Sequence, residues 1–134
     1  MSEYPNLSSY QFQTAIKDIS EQELIQKKEQ QIKFILKLIE TNNELKKELT
    51  NKNISNEDSE LYNGIIDENK LSLIEQVGRV ENMNRELVER GILNETNKEK
   101  EEKKLMEDID RLNKQEEKEV DEQNTQNEKI EDKS

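Results

Sequence analysis

Between Leu24 and Leu87 the apolar positions advance in alternating steps of four and three. Leu24, Lys28, Gln31, Ile35, Leu38, Asn42, Leu45 and Leu49 form one such series. Tyr62, Ile66, Asn69, Leu73, Gln76, Val80, Met83 and Leu87 form a second. This is the heptad rhythm of a helix that buries one narrow stripe against a partner helix. If the chain doubles back between Ser55 and Asn56, the two series meet layer by layer, from Leu49 with Tyr62 to Leu24 with Leu87. The residue numbers of every pair then add to 111. Asn42 falls opposite Asn69, where each side-chain amide satisfies the other and penalises a slipped register.

The flanking segments follow from local signals. Residues 1–8 are polar, hold the only proline (Pro5), and read as a flexible N-terminus. From Ser9 the pattern turns helical, with Phe12, Ala15, Ile16 and Ile19 at helical spacing. Ser20 and Glu23 form a capping-box pattern, so a helix over about 9–50 either breaks near residue 20 or runs through it. Residues 51–58 make a polar tip, with Asn56 or Ser59 as the cap of a second helix over about 59–90. Glu57, Asp58 and Glu60 suit the positive end of that helix. Gly91 supplies its left-handed stop. Gly64 and Gly78 lie inside it and either weaken it or admit a close neighbouring backbone.

Beside the seam runs a second apolar stripe. Ile25, Ile32 and Ile39 recur every seven residues with Leu36 beside them, and Val77 and Ile74 join them from the returning helix, with Val88 a turn away. The opposite face carries Lys27, Gln30, Lys37, Glu44, Glu75 and Arg79, broken mainly by Phe34 and Ile65. Two helices alone cannot bury such a stripe, so something covers it. The lead segment Phe12–Ile19, a second copy of the chain and a foreign helix are the three candidates. The partner-binding residues expected on this basis are Phe12, Ile16, Ile25, Ile32, Leu36, Ile39, Ile74 and Val77.

Composition narrows the architecture. Of 134 residues, 29% are hydrophobic, 4% aromatic and 40% charged, too few apolar groups for a rounded core. Residues 94–134 contain 24 charged residues, 15 of them acidic. Leu105, Ile109 and Leu112 are thin support for a helix, so residues 99–119 are expected to be helical only transiently and the rest of 94–134 disordered. The fold class expected is all-α: a long antiparallel two-helix coiled-coil hairpin over 9–93, a short N-terminal lead helix, and a disordered acidic C-terminal tail.

Charge and residue types bear on function. A net charge of −11 disfavours nucleic acid and anionic membranes as direct partners. No apolar run approaches the ~20 residues that span a bilayer, and the first residues lack the pattern of a secretory signal. Absence of cysteine fits a reducing compartment, cytoplasm or nucleus. With neither His nor Cys, the common nucleophile–base pairs and tetrahedral zinc sites are missing, and no Gly-rich loop cradles phosphate. Glu57, Asp58 and Glu60 lack the spacing of a calcium loop. The expectation is a non-enzyme with no catalytic residues, metal or cofactor.

Several of these residues also carry a family resemblance. Phe12-Gln13-Thr14-Ala15-Ile16, then Ser20, Glu23-Leu24, Lys28, Ile35, Leu38, Asn42 and Leu45, resemble the first helix of the fungal translation-machinery-associated protein seventeen family. Leu61-Tyr62 followed by Glu68-Asn69 resembles the start of that family's second helix. The resemblance covers about residues 10–90 and implies an ATPase-dedicated chaperone of proteasome assembly. Such a protein binds the N-terminal region of one ATPase subunit of the regulatory-particle base, promotes its pairing with a neighbouring subunit under stress, and leaves before the particle matures. Ribosome association is implied by the family's name alone. The alternative is a structural coiled-coil subunit of a permanent complex, of kinetochore, tethering or prefoldin-like type, with self-association open in either case.

Overall fold

The computed structural model describes residues 7–132, with side chains through Lys114. The chain is all-helical over these residues: α1 (Ser9–Ala15), a 3-10 turn (Ile16–Asp18), α2 (Glu21–Leu49), α3 (Asn56–Glu89) and α4 (Glu95–Asp132). The flexible end expected over residues 1–8 falls mostly outside the described residues.

Each helix begins where a side chain replaces a missing backbone partner. Ser8 and Gln11 cap α1 reciprocally: Gln11 N–H donates to Ser8 Oγ at 3.2 Å, and Ser8 N–H donates to Gln11 Oε1 at 3.0 Å. Ser20 caps α2 by accepting from Glu23 N–H at 3.1 Å, so the chain does break at residue 20. The break follows the 3-10 turn, and Ile19 adopts extended backbone before the new helix starts. For α3 the cap is Ser55, which accepts from Asp58 N–H at 3.1 Å. This corrects the expectation of Asn56 or Ser59 and lengthens the helix by one turn at its start. Ser55 wins because its extended backbone lets its hydroxyl reach the third residue on, while Glu57 and Asp58 still lie in the first turn.

α3 ends as expected at Arg90, and Gly91 takes φ +75°. Gly91 N–H donates to Val88 O and Ile92 N–H to Leu87 O, both at 2.9 Å, which closes the last turn. Asn94 then starts α4, accepting from Asn97 N–H at 2.7 Å through Oδ1. Neither Gly64 nor Gly78 meets a close neighbour: a Cβ at either position would touch nothing within 4 Å.

α2 and α3 run antiparallel and share the largest interface. Asn69 Nδ2 donates to Asn42 Oδ1 at 2.9 Å, and Gln31 Nε2 donates to Gln76 Oε1 one turn off the same register. Around these polar contacts Leu24, Ile35, Val80, Met83 and Leu87 are buried in one cluster.

Two further elements enlarge this cluster, on opposite flanks of α3. α1 and the 3-10 turn bring Phe12 and Ile16. α4 brings Leu105 and Ile109, with Leu112 half-buried beside them. The disorder and transient helicity expected over 95–114 are therefore corrected. Three apolar side chains are too few for an isolated helix, yet enough when a preformed surface receives them. α4 continues as helical backbone to Asp132, its side chains beyond Lys114 lying outside the described ones.

Candidate functional site: the apolar stripe beside the seam

The second stripe is covered, and α4 covers it. Lys28 Nζ pairs with Glu101 Oε2 at 2.9 Å, and Asn43 Nδ2 donates to the Leu112 carbonyl at 3.4 Å. These contacts bracket Ile32, Leu36 and Ile39 along α2, so α4 runs parallel to α2 over that stripe. On α3 the corresponding stripe is Val77, Glu81, Asn84 and Val88, spaced by four, three and four. α3 packs against α4, and Lys98 on α4 is held in its charged form first by its hydrogen bond to Glu102 and then by the carboxylates of Glu102, Glu95 and Glu81.

The lead segment sits elsewhere. It was one of three candidate covers for the stripe, but Phe12 and Ile16 pack instead on the flank of α3 that carries Arg79, Asn82, Glu86 and Arg90. Arg79 stacks 5.1 Å from the centre of the Phe12 ring and reaches Glu75 at 3.2 Å. Asn82 Nδ2 donates to Ser9 Oγ at 3.2 Å. Arg90 donates through Nη2 to the carbonyls of Ile16 and Lys17, each at 3.1 Å, and through Nε to Glu86 at 3.0 Å. Arg79, expected on the solvated face, is thus 3% exposed. The cause is the lead segment: its Phe12 ring lies against the buried Arg79 guanidinium, and its 3-10 carbonyls accept from the half-buried Arg90.

The eight expected binding residues therefore separate. Phe12, Ile16 and Ile39 are core, while Ile25, Ile32 and Val77 are half-buried against it. Leu36 is half-buried as well. Ile74 alone remains open, at 72% exposure, with Leu71 one turn before it at 71%. Met106 is also exposed, one residue past the buried Leu105. Helical phase puts Ile74 at the edge of the α3 stripe that faces α4.

Among the described residues, buried side-chain atoms of Gln13, Asn43, Asn84 and Glu86 have no hydrogen-bond partner. Asn84, on the α4-facing stripe of α3, is 1% exposed, and neither its Nδ2 nor its Oδ1 has a hydrogen-bond partner. Asn43 Oδ1, beside Leu112, is likewise buried without one. The α2–α3 interface satisfies its central asparagine pair; the interface with α4 leaves amide atoms unmatched.

Leu105, Ile109 and Leu112 had shown helical spacing, but their number argued against a docked helix. The Lys28–Glu101 pair, the roles of Asn43 and Arg90, and the exposed Leu71 and Met106 carried no sequence signal of their own. Among the described residues, no group of three or more His, Cys, Asp or Glu is placed to hold a metal ion, and no helix is long and apolar enough to cross a membrane. Comparison with models of known protein families, with curated proteins and with solved structures returns no match.

Proposed function

We propose that this protein is a non-catalytic assembly chaperone of the cytoplasm, and of the nucleus where its client assembles. Its α2–α3 pair acts as a coiled-coil hairpin that holds a helical segment of an ATPase subunit of the proteasome regulatory-particle base. Holding that segment promotes pairing with a neighbouring ATPase subunit, above all under stress. The client's identity follows from the family resemblance of residues 10–90. Its helical nature follows from the stripe.

The observation that carries the reading is that α2 and α3 present more apolar surface than their shared seam uses. Ile32, Leu36, Ile39 and Val77 form a face shaped to receive a helix, and Ile74 with Leu71 extends it into solvent. Helix-in-groove recognition uses such a row of anchors at helical spacing.

The test is capture from stressed cells with tagged full-length chain, read by mass spectrometry. The wild-type chain should bring down one base ATPase subunit with assembly intermediates. Leu71→Glu with Ile74→Glu, both at exposed positions, should keep the helical circular dichroism and lower that capture by about tenfold or more. Equal capture by the double variant removes the face from the binding site. Stoichiometric recovery of mature particles instead assigns the protein as a permanent coiled-coil subunit.

A further inference from the structure

We infer that α4 is a resident stand-in for the client helix, and that its own sequence writes the pattern the groove selects. The inference rests on the reading of the stripe as a helix receptor and specifies its ligand. The ligand is an amphipathic helix with an acidic residue facing Lys28, followed by apolar residues four, eight and eleven positions later. In α4 these are Glu101, Leu105, Ile109 and Leu112.

Three observations carry it. Charge is matched at one defined point, since the Lys28 side chain is 11% exposed and its ammonium meets Glu101 at 2.9 Å. The apolar grip of α4 is confined to three side chains, and charged residues fill most of the remaining positions from Glu95 to Lys114. Its interface also leaves the buried amides of Asn84 and Asn43 incompletely paired, as the α1 flank leaves Gln13 Oε1 and Glu86 Oε2, whereas the α2–α3 seam pairs Asn42 with Asn69. A helix that pairs those amides while keeping the same four anchors has the advantage over α4. The groove is therefore closed in the free chain and opens by exchange of one helix for another.

The test uses the full chain and a fluorescent synthetic peptide of residues 95–114, so it does not depend on the ATPase subunit. Leu105→Ala with Ile109→Ala in the chain, which weakens its own α4 and leaves the groove intact, should raise peptide affinity at least tenfold over wild type. In that variant, Glu101→Lys in the peptide should lower affinity at least threefold, and Lys28→Glu in the chain should restore it. Equal affinity for both chains, indifference to the charge swap, or no saturable binding to either overturns the proposal. Should the double variant lose its helical signal, hydrogen exchange of the wild-type chain decides. Amides of 101–112 exchanging at least tenfold faster than those of Ile35 and Val80 support a separable α4, and equal protection overturns it. A negative result here leaves capture of the ATPase subunit standing, and loss of that capture leaves this peptide measurement intact.

Discussion

Asn69 donates to Asn42 at 2.9 Å across the middle of the α2–α3 interface, and Asn42 in turn offers its Nδ2 to the Ile66 carbonyl at 3.4 Å. A matched polar pair within a largely apolar seam costs burial energy and favours one register. Asn42→Leu alone strands the amide of Asn69 and should destabilise the chain by about 1–3 kcal/mol. Asn42→Leu with Asn69→Leu should recover most of that loss, and disulfide mapping with single cysteines on each helix should then detect slipped registers. Denaturant midpoints of the four chains in the cycle check the first part. Full additivity of the two single effects would contradict the pairing.

Arg90 holds the lead segment by its backbone, through the carbonyls of Ile16 and Lys17. Arg90→Lys keeps the charge but loses the planar fork, and should cost about 1–2 kcal/mol. Limited proteolysis should then cut first within 9–19. Phe12→Ala removes the ring beneath Arg79 and should cost about 3–5 kcal/mol, as for other buried aromatic truncations.

The interior glycines of α3 give predictions of the opposite sign from that of its terminal one. Gly64→Ala and Gly78→Ala meet open space and should each raise stability by about 1 kcal/mol, seen as a higher thermal midpoint. Gly91→Ala must enter left-handed backbone at φ +75° and should lower stability by about 1 kcal/mol.

Lys98 predicts a response to alkali. Its pKa is raised above the ordinary value of 10.5, first by the hydrogen bond to Glu102 and then by the charges of Glu102, Glu95 and Glu81, with burial opposing. A lysine held above its unfolded value stabilises the fold fully below pH 10.5, and that contribution disappears as pH rises through the folded value. The thermal midpoint of wild type should fall more steeply above pH 10.5 than that of Lys98→Gln. Parallel curves for the two chains would contradict the linkage.

Much of this architecture was legible in the residues. The asparagine pair and the stop at Gly91 rest on local rules that tertiary structure did not override. The capping box at Ser20 left a break and a continuous helix both open, and Gln31 meets Gln76 one turn away from the layer the heptad register assigns it. The start of α3 was misplaced because Ser55, Asn56 and Ser59 are all competent caps, and only backbone geometry selects among them. The two flanks were harder for a shared reason. Arg79 read as part of a solvated face, and Asn82, Glu86 and Arg90 were assigned to no face, until an aromatic ring and carbonyls arrived from sixty or more residues away. Leu105, Ile109 and Leu112 form a stripe too thin to predict a docked helix, and its worth depends on the surface that Ile32 and Ile39 prepare.

The connection at Arg90–Asn94 has a thermodynamic side. Because α3 and α4 are joined by so short a link, docking of α4 is intramolecular, and the groove experiences its own helix at an effective concentration on the order of millimolar. A client that circulates at micromolar levels must therefore bind about a thousandfold more tightly than α4 does, side by side, to occupy half of the sites. Lengthening the link with Gly-Ser repeats dilutes the tethered competitor without touching a single contact.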